Sequence, residues 1–213
     1  MKRIGIFGGS FDPPHNGHLL VAQDAMEALA LDHMLIVPAA TQPLKPYGRT
    51  GAEHRLAMVE RCFAGLPGIS VDPIEVQRGG LSFMVDTVGA LQGRWPGATL
   101  HLLVGEDVVA SLPRWREPAR LLSMVHLVVL RRGDASDDVT GMLAEWEART
   151  DDTVRRTVQL ATRRVDMTST EIRTRVREGK SLAGFVPDAV AQYIQSAGLY
   201  PAQPAAADDP GRA

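Results

Sequence analysis

At 213 residues and 45% hydrophobic positions, the chain is long enough to bury a core as one domain. Its 23 basic and 25 acidic side chains leave a formal net charge of −2, which excludes bulk attraction to nucleic acid or an anionic membrane surface, so any anion must be held by a local arrangement. Cys62 is the only cysteine, which rules out an internal disulfide and fits a reducing compartment.

In chain order, Met1-Lys2-Arg3 leads into an apolar run that Gly8, Gly9 and Asp12 interrupt too early for a secretory signal. No apolar stretch reaches membrane-spanning length, and the expectation is a cytoplasmic protein with neither membrane nor nucleic-acid partners. Residues 4–7, 34–37, 69–76, 100–104 and 125–130 read as strands; most are apolar at consecutive positions, as strands covered on both faces are. Residues 18–29, 52–63, 83–91 and 139–147 read as the helices between them. This alternation predicts an α/β, Rossmann-like open and mostly parallel sheet with helices on both faces. A last strand is expected at 158–161, then two helices, the first capped by Thr168 or Ser169 and the second with Pro187 in its first turn and Gly198 past its end. The expected layout is a single domain over 1–200, whose part from about 165 is a small C-terminal helical subdomain, followed by a disordered Pro- and Ala-rich tail at 201–213.

The segment Gly8-Gly9-Ser10-Phe11-Asp12-Pro13-Pro14-His15-Asn16-Gly17-His18 leaves the first strand and opens the first helix. Paired glycines let backbone approach a ligand closely. The amides and dipole of a helix start favour an anion. His15 and His18, three apart, can share a side and stabilise charge that grows on a phosphate during transfer. A loop at the carboxyl end of a parallel strand is also where such sheets bind ligands. The opening lacks the G-x-G-x-x-G spacing, and Gly179-Lys180-Ser181 lacks a P-loop's first glycine because position 174 is Thr; it reads as a helix-ending turn. No His, Cys or carboxylate cluster has metal-ligand spacing, and His33, His54, His101 and His126 read as structural.

Residues 9–18 resemble the (T/S)-F-D-P-x-H-x-G-H signature of the His-x-x-His nucleotidyltransferase superfamily, and Met167-Thr168-Ser169-Thr170-Glu171-Ile172-Arg173 resembles its second signature, I-S-S-T-x-I-R. Val37-Pro38, Pro43-Leu44-Lys45, Asp86-Thr87, Gly105-Glu106-Asp107, Leu112-Pro113-Arg114-Trp115 and the ending from Val186-Pro187 to Leu199-Tyr200 are similar to the bacterial nicotinate-nucleotide adenylyltransferases, over about residues 1–200. That resemblance implies synthesis of nicotinate adenine dinucleotide from nicotinate mononucleotide and ATP, releasing pyrophosphate, with Mg²⁺ carried by the ATP phosphates. It implies catalytic contacts from His15, His18 and Arg173. ATP would be held by Gly8, Gly9, Ser10, Phe11, Lys45, Gly105, Asp107, Ser169 and Thr170, and the acceptor by Asp12, Asp86, Thr87, Trp115 and Arg116. Two positions depart from the family's pattern: Ser82-Phe83-Met84 replaces Ser-Tyr-Thr, and Arg116 stands where an aromatic residue is common.

The chemistry suits the parts. The acceptor's phosphate oxygen is already nucleophilic, so transfer needs alignment and charge neutralisation rather than an activated side chain. Other readings are a sister activity such as phosphopantetheine adenylyltransferase and a non-catalytic ATP-binding module. A nucleic-acid-binding protein is disfavoured by the lack of a basic stripe. A homo-oligomer stays open, as does preference for the pyridine acid over its amide.

Overall fold

The computed structural model describes residues 1–44, 50–132, 141, 157–163 and 165–202. Six strands form one sheet: β1 (Arg3–Gly9), β2 (His33–Pro38), β3 (Ile69–Val71), β4 (Thr99–Gly105), β5 (His126–Arg132) and β6 (Val158–Thr162), in the order β3-β2-β1-β4-β5-β6. Every pairing is parallel, so the expected "mostly parallel" sheet is wholly parallel among the described residues. The chain starts in the middle, moves out to β3, crosses back past β1 and finishes at β6. The order therefore reverses between β1 and β4, which opens a crevice at their carboxyl ends.

Strand side chains alternate between two cores. Leu35, Val37, Leu102, Val104, Leu127 and Val129 face one, covered by α4 (Met84–Arg94) and α6 (Pro118–Met124). Met34, Ile36, Leu103, Val128 and Leu130 face the other, covered by α1 (Asn16–Ala28), α2 (Ala52–Phe63), α7 (Ser169–Arg177) and α8 (Asp188–Ser196). Both faces are dry, which is why these strands read as unbroken apolar runs.

The expected strand 69–76 is corrected: β3 ends at Val71 and a short helix α3 (Ile74–Arg78) follows. The cause is local. Asp72 Oδ1 accepts the Ile74 N–H at 3.1 Å, and Pro73 has no N–H for the ladder. Between β4 and α6 lie the one-turn helix α5 (Glu106–Val109) and a 3-10 turn, Leu112–Arg114. Thr168, not Ser169, caps α7, accepting the Glu171 N–H. Pro187 is itself the N-cap residue of α8 rather than in its first turn. Gly179 ends the α7 turn at φ +64°, as the Gly-Lys-Ser reading expects. Of the expected helix at 139–147 only residue 141, in helical conformation, is described, and the tail beyond 202 lies outside the described residues.

At the amino ends of β4 and β5, His101 is 5% exposed, stacks on His126 with centroids 5.2 Å apart, and has no hydrogen-bond partner on either ring nitrogen among the described residues. Burial, then His126 and Arg3, pull its pKa down to about 4. The unfolded ring titrates near 6.5. The stabilising contribution of the neutral ring is therefore complete above pH 6.5 and is lost as pH falls towards 4, by no more than about 3 kcal/mol. His101→Leu is expected to flatten the fall in melting temperature across that window. An unchanged slope would assign the acid sensitivity elsewhere.

Candidate functional site

The loop after β1 is held from three sides. His15 ends the loop as the N-cap of α1, and His18 sits at the third helical position. The His15 N–H donates to His18 Nδ1 at 3.1 Å, and the two rings stack with centroids 3.7 Å apart. Because Nδ1 accepts, the neutral His18 ring carries its proton on Nε2, and Nε2 is the atom with which it can donate to a phosphate oxygen. Gly17 is required by this packing: a Cβ there would lie 2.9 Å from His15 Nδ1 and 3.2 Å from Val165 Cγ1. Asn16 closes the helix start with its N–H to Phe185 O and Nδ2 to Gly184 O, both at 2.9 Å.

From the same face of the sheet as α1, α7 grips the loop by its carbonyls. Ser169 Oγ donates to Pro13 O at 2.8 Å; Arg173 Nη1 donates to Asp12 O at 2.6 Å, and its Nη2 to Thr170 Oγ1 at 3.0 Å. Two sequence signatures about 155 positions apart thus meet at one peptide stretch, with |i−j| of 156 and 161 for the two contacts.

Two cavities open beside the loop, sharing Ala39 and Gln42 in their walls. The first, about 210 Å³, is lined mainly by apolar groups, with Gly8, Gly9, Phe83, Met84, Gly105, Trp115 and Arg116 among them. The second, about 660 Å³, is lined by Ser10, Asp12, Arg55, Ser169, Thr170 and Arg173 with the flanking loops. His15 is buried and His18 half-buried, and neither lines either cavity. Phe11 is also buried away from both, with φ +49° and its ring 5.0 Å from that of His18.

Several expected acceptor residues have inward tasks. Asp12 is 9% exposed and its Oδ1 accepts from Tyr200 OH at 2.7 Å. Thr87 is fully buried; its hydroxyl donates to Glu75 Oε1 at 2.6 Å and accepts from Arg78 Nη2 at 2.9 Å. It lies under the first cavity rather than in its wall. Asp86 is exposed, outside both linings, and holds Arg116 at 3.4 Å. Arg116 also lies over the Phe83 ring at 4.8 Å. Trp115 Nε1 is hydrogen-bonded to Ser111 Oγ at 3.2 Å, which sets the indole in the cavity wall. Asp107 projects from α5 at the carboxyl end of β4, exposed. Lys45 lies outside the described residues.

Two participants were invisible to sequence reasoning. Arg55, 5% exposed, donates to Thr50 O at 3.2 Å, Ser10 O at 2.8 Å and Ala40 O at 2.6 Å; burial draws its pKa down, while Asp12 and Tyr200 oppose the shift. Glu75, 2% exposed, lines the first cavity, and burial raises its carboxyl pKa against the opposing hydrogen bonds of Thr87 and Ser82 and the charge of Arg78. A single Arg or Glu within a helical or extended stretch carries no spacing signal.

The cytidylyltransferase-like family matches residues 6–175. The chain is 63% identical over 210 residues to the probable nicotinate-nucleotide adenylyltransferase of Gemmatimonas aurantiaca, covering 99% of this chain and 98% of that one. It is 38% identical over 203 residues to the protein of that name from Herpetosiphon aurantiacus, covering 94% and 99%. A solved structure of Plasmodium falciparum nicotinic acid mononucleotide adenylyltransferase complexed with APC superposes with a TM-score of 0.73 at 16% identity, covering 94% of this chain and 98% of that chain; this is a likeness of fold. Full-length identity at this level, on a loop and helix that bring both signatures together, means that the chain belongs to the nicotinate-nucleotide adenylyltransferases of the cytidylyltransferase-like family.

Proposed function

We propose that this nucleotidyltransferase joins the adenylyl group of ATP to the phosphate of nicotinate mononucleotide on the loop of residues 8–18. The observation that carries the placement is the grip of Ser169 and Arg173 on the Pro13 and Asp12 carbonyls, which supports one phosphate site built from both signatures. In the reaction, an acceptor phosphate oxygen bonds to the α-phosphorus of ATP, the α–β bridging bond breaks, and its electron pair leaves on pyrophosphate. His18 Nε2 and the remaining donors of Arg173 would stabilise charge on the non-bridging and departing oxygens, and the dipole of α1 would add to them, its first amides being taken up by Phe185 O, His15 O and His18 Nδ1. Gly8, Gly9, Ser10, Gly105, Asp107 and Thr170 would frame ATP. A cytoplasmic setting accords with the reading, and no helix among the described residues is long and apolar enough to cross a membrane.

Among the described residues no group of three or more His, Cys, Asp or Glu could hold a metal ion. A magnesium ion would accordingly enter on the triphosphate oxygens, and it would supply neutralisation of phosphate charge. The chain's residues would orient the triphosphate around it.

The first cavity suits a flat, partly apolar ring, with Trp115 as its stacking face. Its polar wall holds the guanidiniums of Arg114 and Arg116, the latter shared with Asp86 and Glu117 outside the lining, while Glu75, the one carboxyl lining it among the described residues, is shifted towards the neutral form. Cationic donors favour a carboxylate over a carboxamide, which also needs an acceptor. The purified protein with ATP and Mg²⁺ is expected to release pyrophosphate faster with nicotinate than with nicotinamide mononucleotide. Arg116→Gln should cut kcat/KM for the acid about tenfold, ~1.4 kcal/mol, and for the amide less. Turnover of phosphopantetheine with neither pyridine nucleotide consumed would overturn the acceptor; equal losses for acid and amide would remove Arg116 from the discrimination.

A further inference from the structure

The C-terminal end of the described residues reaches the phosphate loop. After α8, Leu199 N–H bonds back to Ile194 O at 3.0 Å, and Tyr200 turns inward with φ +58°, a conformation that side chains with a Cβ disfavour. Tyr200 is 8% exposed in the buried cluster that includes Met58, Ile172, Val190 and Ile194, and its hydroxyl donates to Asp12 Oδ1 at 2.7 Å, across 188 positions of sequence. Phe11, one residue before Asp12, also has a positive φ, +49°. Two disfavoured backbone conformations therefore flank one buried hydrogen bond. Burial and the neighbouring Asp12 push the phenol's pKa far above its usual range, so it stays a donor.

We infer that Tyr200 is a positioning residue for nucleotidyl transfer, its hydroxyl fixing the Asp12 end of the phosphate loop. Asp12 is the hub. Its side chain takes the phenol from one side while its carbonyl takes Arg173 from the other, and Ser169 holds the next carbonyl. Without the phenol, a 9%-exposed carboxylate loses that donor and turns to water of the larger cavity, whose wall it forms, which lets residues 11–13 shift. Such a shift is transmitted to His15 and His18, because Pro13 and Pro14 are a stiff connection. Displacement of that size impairs alignment in the transition state more than ground-state binding.

The inference rests on the proposed role of this loop, and the test separates the two. Tyr200→Phe keeps the ring and removes only the hydroxyl. Ile194→Val loosens the same cluster from α8 and leaves the Tyr200 hydroxyl in place. His18→Ala reports on the loop itself. Steady-state kinetics well below each variant's melting temperature should give Tyr200→Phe a kcat about tenfold below wild type with KM for both substrates within about twofold, and Ile194→Val a wild-type kcat. A wild-type kcat in Tyr200→Phe, with kcat of His18→Ala lowered about 10²-fold or more, overturns the latch alone; an equal kcat loss in Ile194→Val overturns it as mere packing. A wild-type kcat in His18→Ala overturns both the loop and the latch.

Discussion

His18→Ala is expected to lower kcat about 10²- to 10³-fold, ~3–4 kcal/mol in the barrier, the usual cost of one preorganised donor to developing charge. The side chain has two separable jobs. Nδ1 accepts the His15 N–H and so closes the helix start; Nε2 is the donor proposed for phosphate. Alanine removes both. The structural part is one hydrogen bond at a half-buried helix end, on the order of 1 kcal/mol, and so predicts only a small fall in melting temperature. His18→Asn separates the parts, since its amide oxygen can take the place of Nδ1 while nothing reaches the position of Nε2. Its melting temperature should recover towards wild type with kcat still depressed. An asparagine variant that recovers both would make His18 a cap and assign the charge stabilisation to other groups.

What the sequence made legible was local. The six-strand α/β pattern can be read because each strand lies between two apolar layers, so Met34 to Val37 or Leu127 to Leu130 are apolar whichever way a residue points. The phosphate loop can be read because its glycines, histidines and helix start are contiguous. The short β3 was misjudged because Ile74 and Val76 continue an apolar alternation, and Asp72 with Pro73 outweighs it through a cap and a missing donor. Burial could not be read. Thr87 looks like a pocket residue beside Asp86, yet it is fully enclosed and serves Glu75. Asp12 sits inside a phosphate-binding signature, yet its carboxylate faces Tyr200 at the far end of the chain. Contacts across 188 positions leave no periodicity behind them.

Arg55 is where that difference has its largest energetic consequence. Nothing in Ala52-Glu53-His54-Arg55-Leu56 distinguishes it from a solvated helix charge, yet its guanidinium joins three backbone segments through Ser10, Ala40 and Thr50. These carbonyls belong to the loop after β1, the turn after β2 and the approach to α2, all in the wall of the larger cavity. Buried cations are costly to desolvate, and this one is held by carbonyl dipoles and by the charge of Asp12. Removing it loses three charge-assisted bonds, though water from the cavity can reach part of the vacated space. Arg55→Ala is therefore expected to cost about 3–5 kcal/mol, lowering the melting temperature by roughly 10 °C in a chain of this size. Arg55→Lys keeps the charge but cannot span three diverging carbonyls, and should fall in between. Because Ser10 O is one anchor and Ser10 Oγ also donates to Gln42 Oε1 at 2.7 Å, loosening this corner also moves the wall shared by both cavities. The lysine variant should accordingly show a raised KM for ATP at temperatures where it is fully folded. A melting curve for Arg55→Ala within about 2 °C of wild type would mean that water replaces the guanidinium at little cost, and that the three segments are held together by their packing alone.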